Sequence, residues 1–399
     1  MRKIILSVAV AAMALSTTAS ALEDIKVNGQ AKLWYETNDV GVGTDSNSLF
    51  ENKAGGTSGE IVFKLGVTGK QGNVGFGATL YNTTDLGLTG EALTATRSDT
   101  TNSDMFLGEA YVTAPMGSMA SLKLGRQELN TPFLFTETWN ALPNTFDAAV
   151  VTVKPMNDLS LVAMYVGQDN ADTNFKVDGA ARTSIFGGAL VVGALYKNSA
   201  FDANFWYTNV GNYNNPNTTL VTEDETLSAF YLDAGTKVAN VNLRAYAATV
   251  DGSDSEKSTE AYALSAGTKV GTFDLFAAAS TTTDDGHHSV ANISTVNKKS
   301  FLPTEAVYTD GLYVAHPDST AFKVKASTKL GSTGIALQVV DNSNDTTATK
   351  ETTEFDLFLT DKFGDFSTTA ILMHRSFDKD AEDDAQGGIY ARFIVALNF

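Results

Sequence analysis

The sequence predicts an all-β fold: a transmembrane, antiparallel, up-and-down β-barrel of about 18 strands, with 16 strands as the alternative. Three observations support this prediction. The chain begins with a segment typical of exported proteins, it ends in an alternating strand that closes on an aromatic residue, and the strand-like runs between are joined by short and long connections in turn. A secreted, soluble β-protein is the competing interpretation.

The first 21 residues have the composition of a secretory signal peptide. Arg2 and Lys3 precede an apolar run that extends to Leu15. The small residues Ala19-Ser20-Ala21 then offer a cleavage site. Cleavage there would leave residues 22–399 as a single barrel domain, and the formal net charge of −18 would become more negative because two basic residues are lost.

The carboxyl-terminal strand alternates with a period of two. One face carries only apolar residues, namely Ile389, Ala391, Phe393, Val395, Leu397 and Phe399. The other face carries Tyr390, Arg392 and Asn398. A final aromatic residue with apolar residues two, four and six positions earlier resembles the signal that ends outer-membrane barrels, which implies the barrel assembly machinery as a partner.

The connections between the strand-like runs alternate in length. Eight tight turns are predicted near residues 70–73, 115–118, 155–158, 197–199, 238–240, 270–271, 331–334 and 361–364. Nine longer connections are predicted near 38–57, 86–102, 129–144, 168–182, 210–225, 250–259, 281–319, 341–353 and 376–388. Seventeen connections join 18 strands, and their sorting predicts short periplasmic turns and long external loops.

The composition agrees with this fold. A mean hydropathy of −0.08 suits a barrel in which only every second strand residue faces lipid. The lack of cysteine excludes a disulfide framework and a thiolate zinc site. The acidic charge argues against nucleic acid as a partner. Many strands carry aromatic residues near their ends, among them Trp34, Tyr81 and Tyr165, as interfacial girdles require, but for any one of them ordinary sheet packing is the preferred interpretation.

A barrel of this size predicts a water-filled lumen, because its inward side chains are too short to fill it. The first strand is expected to begin near Ile25, which leaves no room for an amino-terminal plug. The third long connection, near residues 129–144, is different from the others because it carries Phe133, Phe135 and Trp139 between two prolines. We expect it to fold inward or to meet a neighbouring subunit. Because lateral association is common among such barrels and this loop needs burial, we also expect a homotrimer.

The motif around this connection indicates a family. The run Leu122-Lys123-Leu124-Gly125-Arg126-Gln127, followed by Thr131-Pro132 and by Leu142-Pro143-Asn144-Thr145-Phe146, resembles the OprD-type outer-membrane porins and the related major outer-membrane porins of epsilonproteobacteria. The resemblance implies an 18-stranded barrel whose third loop enters the lumen. It also implies a ladder of basic wall residues that faces acidic or carbonyl groups on the loop.

Carried over by position, this resemblance places Lys123 and Arg126 on the wall and Glu128, Glu137 and Asp147 on or near the loop. Strict alternation from Leu122 and Leu124 would instead turn Arg126 outward, unless a bulge at Gly125 re-aims it. Alternation alone predicts further inward basic residues, namely Lys32, Lys64, Arg244, Lys323, Lys325 and Arg392. It predicts the inward acidic residues Glu36, Glu109, Asp274 and Asp356.

Opposed acidic and basic rows would set a transverse field across the pore. The sequence therefore predicts a porin of the bacterial outer membrane for passive diffusion of small hydrophilic solutes and ions, with weak cation preference. The alternatives are an adhesive or structural barrel that binds partners through its long loops, above all 281–319, and a hydrolase that uses a serine and a histidine.

The sequence gives little support to an enzyme. The four histidines, His287, His288, His316 and His374, lack metal-ligand or catalytic spacing, so no cofactor and no catalytic activity are expected. The acidic run 378–384 lacks the glycine and terminal glutamate of an EF-hand loop. It would at most hold a divalent cation such as calcium loosely, as a bridge to lipopolysaccharide in the surrounding outer-membrane lipid.

Overall fold

The computed structural model describes residues 22–40, 48–51, 56–85, 105–169, 187–213, 225–253, 257–284, 286–295, 299–344, 351–377 and 387–399. The predicted signal peptide and the acidic run 378–384 lie outside these residues. So do the connection 86–102 and most of the connection 168–182.

The described residues form 18 strands. They are β1 (Glu23–Asn38), β2 (Thr57–Gln71), β3 (Val74–Asp85), β4 (Met105–Met116), β5 (Ala120–Gln127), β6 (Phe146–Met156), β7 (Leu159–Asp169), β8 (Gly188–Lys197), β9 (Phe201–Tyr213), β10 (Glu225–Val238), β11 (Val241–Gly252), β12 (Thr259–Val270), β13 (Phe273–Thr282), β14 (Ser319–Leu330), β15 (Thr333–Asn344), β16 (Glu351–Phe363), β17 (Phe366–Phe377) and β18 (Gly388–Asn398).

Helical structure in the described residues is short. It consists of a helix, α1, at Gly311–Val314 and a 3₁₀ turn at Ile293–Thr295. Among these residues, no helix has the length and apolar character that crossing a membrane would require.

Each strand pairs antiparallel with the next along the chain, and β1 pairs with β18 to close the sheet. The closing register runs from Gln30 opposite Asn398 to Asn38 opposite Tyr390. Closure satisfies the backbone groups that an open edge would leave without partners in hydrocarbon. The predicted barrel of 18 strands is thus confirmed, and the alternative of 16 strands is wrong.

The eight tight turns lie where the sequence predicts them, all at one end of the barrel, and the strand ends that the nine long connections join lie at the other end. Gly271 and Gly331 occupy two of the tight turns with φ of 60° and 63°. These values lie in the left-handed region, which glycine adopts without steric cost. Short turns of this kind hold adjacent strands in register.

The outer face of the barrel is apolar. Exposed large side chains alternate along the strands, among them Leu33, Phe63, Leu124, Leu161, Phe205, Leu232, Leu264, Phe322, Leu337, Phe355 and Leu372. A closed barrel with such an exterior is suited to contact with hydrocarbon. The residues between them face the lumen.

The aromatic residues near strand ends lie on both faces of the barrel. Tyr165 is 57% exposed on the outer face, as a girdle residue would be. Trp34 and Tyr81 are buried on the inner face, where they pack with Ala141 and Leu142 of the connection between β5 and β6. These two residues therefore follow the interpretation of ordinary packing and do not belong to a girdle.

Candidate functional site

Among the described residues, two long connections fold into the barrel. The first inner loop comprises residues 128–145 between β5 and β6, and the second inner loop comprises the described residues of 283–318 between β13 and β14, namely 283–284, 286–295 and 299–318. The largest apolar cluster among the described residues contains side chains of both loops and of the inner wall between β6 and β15. The loops therefore occupy the lumen of their own barrel.

The first inner loop is fixed on two sides. Phe133 and Leu134 are buried in the cluster that includes Val191 and Tyr231 of the wall. On the other side, Lys32 of β1 donates hydrogen bonds from Nζ to the carbonyl oxygens of Asn140 and Ala141, both at 3.2 Å. The predicted inward course of this loop agrees with these contacts, and its aromatic residues are covered inside the barrel.

The two inner loops contact each other near the middle of the lumen. The Ile293 amide donates to the Phe133 carbonyl oxygen at 2.9 Å. The Asn292 side chain donates to the Phe135 carbonyl oxygen at 2.9 Å and accepts from the Phe135 amide at 3.3 Å. The ring of Phe301 meets the ring of Phe135 edge to face, with 4.9 Å between centroids. These contacts join loops that start from distant strands.

Glu137 braces this junction. Its carboxylate accepts from Thr295 Oγ1 at 2.5 Å, and from Asn292 Nδ2 and Asn140 Nδ2 at 3.2 Å each. Only 2% of the residue is exposed. Burial raises the pKa of Glu137, and these hydrogen bonds partly oppose the rise. Glu137 thus lies on the first inner loop, but it is a buried link between the loops and does not present a free charge to water.

A cavity of about 480 Å³ remains between the two loops and the wall formed by β14 to β18. Its charged lining consists of three acidic residues, Glu137, Glu305 and Asp310, and three basic residues, Lys299, Lys323 and Arg392. Trp139, Leu302, Phe358 and Ile371 supply apolar surface. The cavity therefore combines equal numbers of acidic and basic residues with apolar walls.

Two of the acidic residues in this lining are strongly affected by burial. Burial raises the pKa of Glu305 to about 8 and that of Asp310 to about 6, although the nearby Lys299 ammonium opposes both rises. Lys299 Nζ lies 3.8 Å from Asp310 Oδ2 and donates to the carbonyl oxygens of Ala306 and Val307. The protonation states of Glu305 and Asp310 in the second inner loop therefore change between mildly acidic and mildly alkaline pH.

A second charged patch lies on the inner wall of β2 to β5. It brings together four residues predicted to lie in the lumen or near the loop, namely Lys64, Glu109, Lys123 and Glu128. Lys123 Nζ lies 3.9 Å from the ring centroid of Tyr111. Burial and the Glu109 charge raise the pKa of Glu128, while Lys64 and Lys123 lower it. Glu128 is nevertheless exposed, so this patch presents charge to the water of the lumen.

Arg126 and Asp147 are placed differently from expectation. They are neighbours in register on β5 and β6, and Arg126 binds Asp147 through Nε at 2.7 Å and Nη2 at 3.0 Å. Arg126 shares its face with the exposed Leu124. Both residues therefore lie on the outer face, and the expectation that they line the lumen is wrong.

The reason is that β5 has no bulge at Gly125. Its register with β4 and β6 runs through this residue without interruption. Gly125 has a φ of 121°, and a Cβ atom there would lie 2.2 Å from the Ala110 carbonyl oxygen. The glycine thus permits close approach of two strands and leaves the alternation of side chains unchanged.

The other predicted basic residues lie on the inner face. Lys323 donates to the Glu305 carbonyl oxygen, and Lys325 Nζ lies 5.5 Å from the ring centroid of Phe358. Arg392 is buried and pairs with Glu36. Arg244 belongs to a separate network on β9 to β11, where it binds Asp233 at 2.8 Å and also Asp202. The first three residues lie near the cavity, and Arg244 does not line it.

Sequence reasoning missed the second inner loop, which was expected to be external. Lys299, Glu305 and Asp310 of this loop line the cavity, and none was singled out. The available signal was the presence of Phe301, Tyr308 and Tyr313 in an otherwise polar connection, since exposed loops gain little from such residues. The same signal correctly identified the first inner loop.

No metal centre is visible within the described part of the chain, where no group of three or more histidine, aspartate or glutamate residues is arranged to hold a metal ion. His288 Nε2 lies 2.7 Å from Glu225 Oε1, which joins the second inner loop to β10. His316 lies beside the Pro317 carbonyl oxygen. The proposed loose calcium site at 378–384 stays a prediction, because it lies outside the described residues.

Neither a protein-family model nor a curated protein sequence matches the chain. Crystal structures of Pseudomonas aeruginosa proteins do match. OccK3 (OpdO) is 14% identical with a TM-score of 0.69, over 94% of this chain and 96% of that chain. OpdK with vanillate is 14% identical with a TM-score of 0.68, over 94% and 98%. OccD3 (OpdP) is 14% identical with a TM-score of 0.68, over 95% and 92%.

Identities this low establish a shared fold. The barrel architecture that the OprD-type resemblance implied is confirmed by these structures. The narrower resemblance to porins of epsilonproteobacteria stays a prediction.

Replacing Glu137 tests its role as a brace. Glu137→Ala should lower the free energy of unfolding by roughly 2–4 kcal/mol, because three buried donors lose an acceptor. Glu137→Gln should cost less, since one acceptor oxygen remains. Urea unfolding in detergent micelles measures both. The exposed Glu128→Ala serves as the control and should change stability by less than about 0.5 kcal/mol. Equal, small effects of Glu137→Ala and Glu128→Ala would contradict the assignment.

The stability of the second inner loop should fall as pH rises. The ordinary pKa of Glu305 is 4.5 and its folded value is about 8. The neutral carboxyl therefore stabilises the folded loop fully below pH 4.5, and this contribution is lost progressively up to about pH 8. Hydrogen exchange of residues 299–310, corrected for its intrinsic pH dependence, should show less protection at pH 9 than at pH 6. Glu305→Gln should remove most of this difference, and an unchanged difference would contradict the assignment to Glu305.

Proposed function

We propose that the protein is a porin of the bacterial outer membrane, through which small hydrophilic solutes and ions diffuse passively. The observation that carries the proposal is a closed 18-stranded barrel whose lumen contains two folded loops around a charged cavity. A barrel of this width encloses water wherever loops do not fill it. The apolar exterior supports a membrane location, and the alternation of short turns and long loops supports the outer membrane.

One of the matched structures supports a small solute. The OpdK structure contains vanillate, which is a small molecule. The cavity of this chain, at about 480 Å³, is in the range of sites that hold molecules of that kind. Its mixture of charged and apolar residues suits small polar solutes that also carry some apolar surface.

Weak cation preference is the finer part of the proposal. The formal net charge of the chain is −18, which favours cations near its mouths. The cavity itself carries three acidic and three basic residues, but the pKa of Glu305 is about 8, so this carboxyl is largely neutral at pH 7 and the cavity does not add to the preference for cations. A preference that is small in magnitude follows from this combination. On the inner wall of β2 to β5, Lys64 and Lys123 offset the charges of Glu109 and Glu128, so this patch adds little to it.

The proposed surroundings follow from the same location. We include outer-membrane lipid and lipopolysaccharide as contacts and the barrel assembly machinery as the partner that inserts the chain. A homotrimer also stays part of the proposal. Its support is weaker than the sequence indicated, because the aromatic side chains Phe133 and Phe135 are buried inside the lumen and need no subunit interface.

The two alternative functions receive less support. The adhesive interpretation depended above all on the connection 281–319, and the described part of that connection folds inward. The hydrolase interpretation needs a serine beside a histidine, but His288 is joined to Glu225 and His374 lies on the outer face of β17. We therefore propose a channel without catalytic activity.

Single-channel recording of the refolded protein in a planar bilayer tests the proposal. We expect stepwise conductance, and in a tenfold salt gradient a small reversal potential of the sign that indicates cations. Glu128→Lys should shift that potential toward anions, while Glu351→Lys, an exposed position at the start of β16, should not. Lack of conductance from protein that has verifiably inserted would overturn the proposal.

A further inference from the structure

A carboxylate on the barrel wall holds three consecutive amides of the second inner loop. Glu354 lies on the inner face of β16 and is fully buried. Its Oε1 accepts from the Val307 and Tyr308 amides at 2.9 Å each. Its Oε2 accepts from the Tyr308 amide at 3.1 Å and the Thr309 amide at 2.5 Å. Hydrogen bonds to an ionised acceptor are the strong kind, and here several converge on one side chain.

Two arginines hold the same segment. Arg375 Nη1 donates to the Tyr308 carbonyl oxygen at 3.2 Å, and Arg392 Nη2 lies 3.4 Å from the Tyr308 hydroxyl. The Tyr308 ring packs against Tyr390 with 4.5 Å between centroids. Glu354, Arg375, Tyr390 and Arg392 of the wall therefore contact the amide, the carbonyl, the ring and the hydroxyl group of Tyr308, respectively.

The position of this segment sets the shape of the cavity. Val307 and Tyr308 line it on one side, and the first inner loop lines it on another. Both ends of the second inner loop are fixed at the long-connection end of β13 and β14. Because Val307 and Tyr308 line the cavity, release of this segment from the wall would change the width of the cavity.

We infer that Glu354 is the positioning residue of the second inner loop: it clasps residues 307–309 to the wall of the cavity and thereby limits the size of the solutes that pass. The limit on solute size rests on the proposed function. The clasp itself does not, because it concerns only where the loop lies. The two parts can therefore be tested separately.

Limited proteolysis tests the clasp without any channel measurement. Lys299 is held within the loop by the carbonyl oxygens of Ala306 and Val307, so trypsin should cut after it slowly in the native protein. Glu354→Ala should accelerate this cleavage by about tenfold or more, because loss of strong hydrogen bonds raises the population of the released loop. Glu354→Gln, which keeps one acceptor oxygen, should give an intermediate rate.

Glu351→Ala is the matched control, since it removes the same residue type from the exposed side of the same strand. A difference in migration between unheated and heated samples in detergent gels, equal to that of the native protein, confirms that each variant is folded. If Glu354→Ala fails to fold, the comparison of Glu354→Gln with the native protein decides. Cleavage at the native rate in folded Glu354→Ala, or in Glu354→Gln when that variant must decide, would overturn the clasp.

Uptake into liposomes tests the limit on solute size. The ratio of trisaccharide to monosaccharide entry should rise in Glu354→Ala and stay unchanged in Glu351→Ala. Faster cleavage with no entry of any sugar through the native protein would leave the clasp standing and refute the porin. Entry through the native protein with an unchanged ratio in Glu354→Ala would refute the role of Glu354 in limiting size.

Discussion

Closure of the sheet by the pairing of β1 with β18 is the constraint on which the rest of the structure depends. It satisfies the backbone groups of both terminal strands, and so permits an apolar exterior. It also fixes the circumference at 18 strands, which leaves a lumen too wide for the wall side chains to fill. The two inner loops fill part of this lumen, because their apolar residues pack against the inner wall.

The inner loops divide the lumen by polarity. On the side of β6 to β12, loop residues such as Phe133 and Ile293 bury apolar surface against the wall. Buried polar groups at the junction of the loops are satisfied by one another, as Glu137 and Asn292 show. Charge remains where the loops leave space, at the cavity beside β14 to β18 and at the patch on β2 to β5. Any passage for solutes therefore lies along the parts of the wall against which the apolar loop residues do not pack.

Local patterns predicted the fold well. Period-two alternation and turn residues are properties of short segments, so they gave the strand number, the connections and the inward face of residues such as Lys323 and Lys325. The candidate site was harder, because its residues meet only after the barrel closes. The motif resemblance placed Arg126 and Asp147 in the lumen, although alternation from Leu124 correctly opposed this. The second inner loop was missed for two reasons. Its aromatic residues are spread among polar ones, and the strands that cover Tyr308 and Tyr313, β17 and β18, lie more than 50 residues later in the sequence.

The meeting of the two inner loops is the central claim, and a disulfide cross-link tests it most directly. The chain has no cysteine, so Asn144→Cys with Ser294→Cys introduces a single pair, at side chains whose Nδ2 and Oγ atoms lie 3.3 Å apart. Mild oxidation should join this pair in the folded barrel and leave its conductance unchanged. Failure to join, while both cysteines react readily with a water-soluble thiol reagent, would contradict the account.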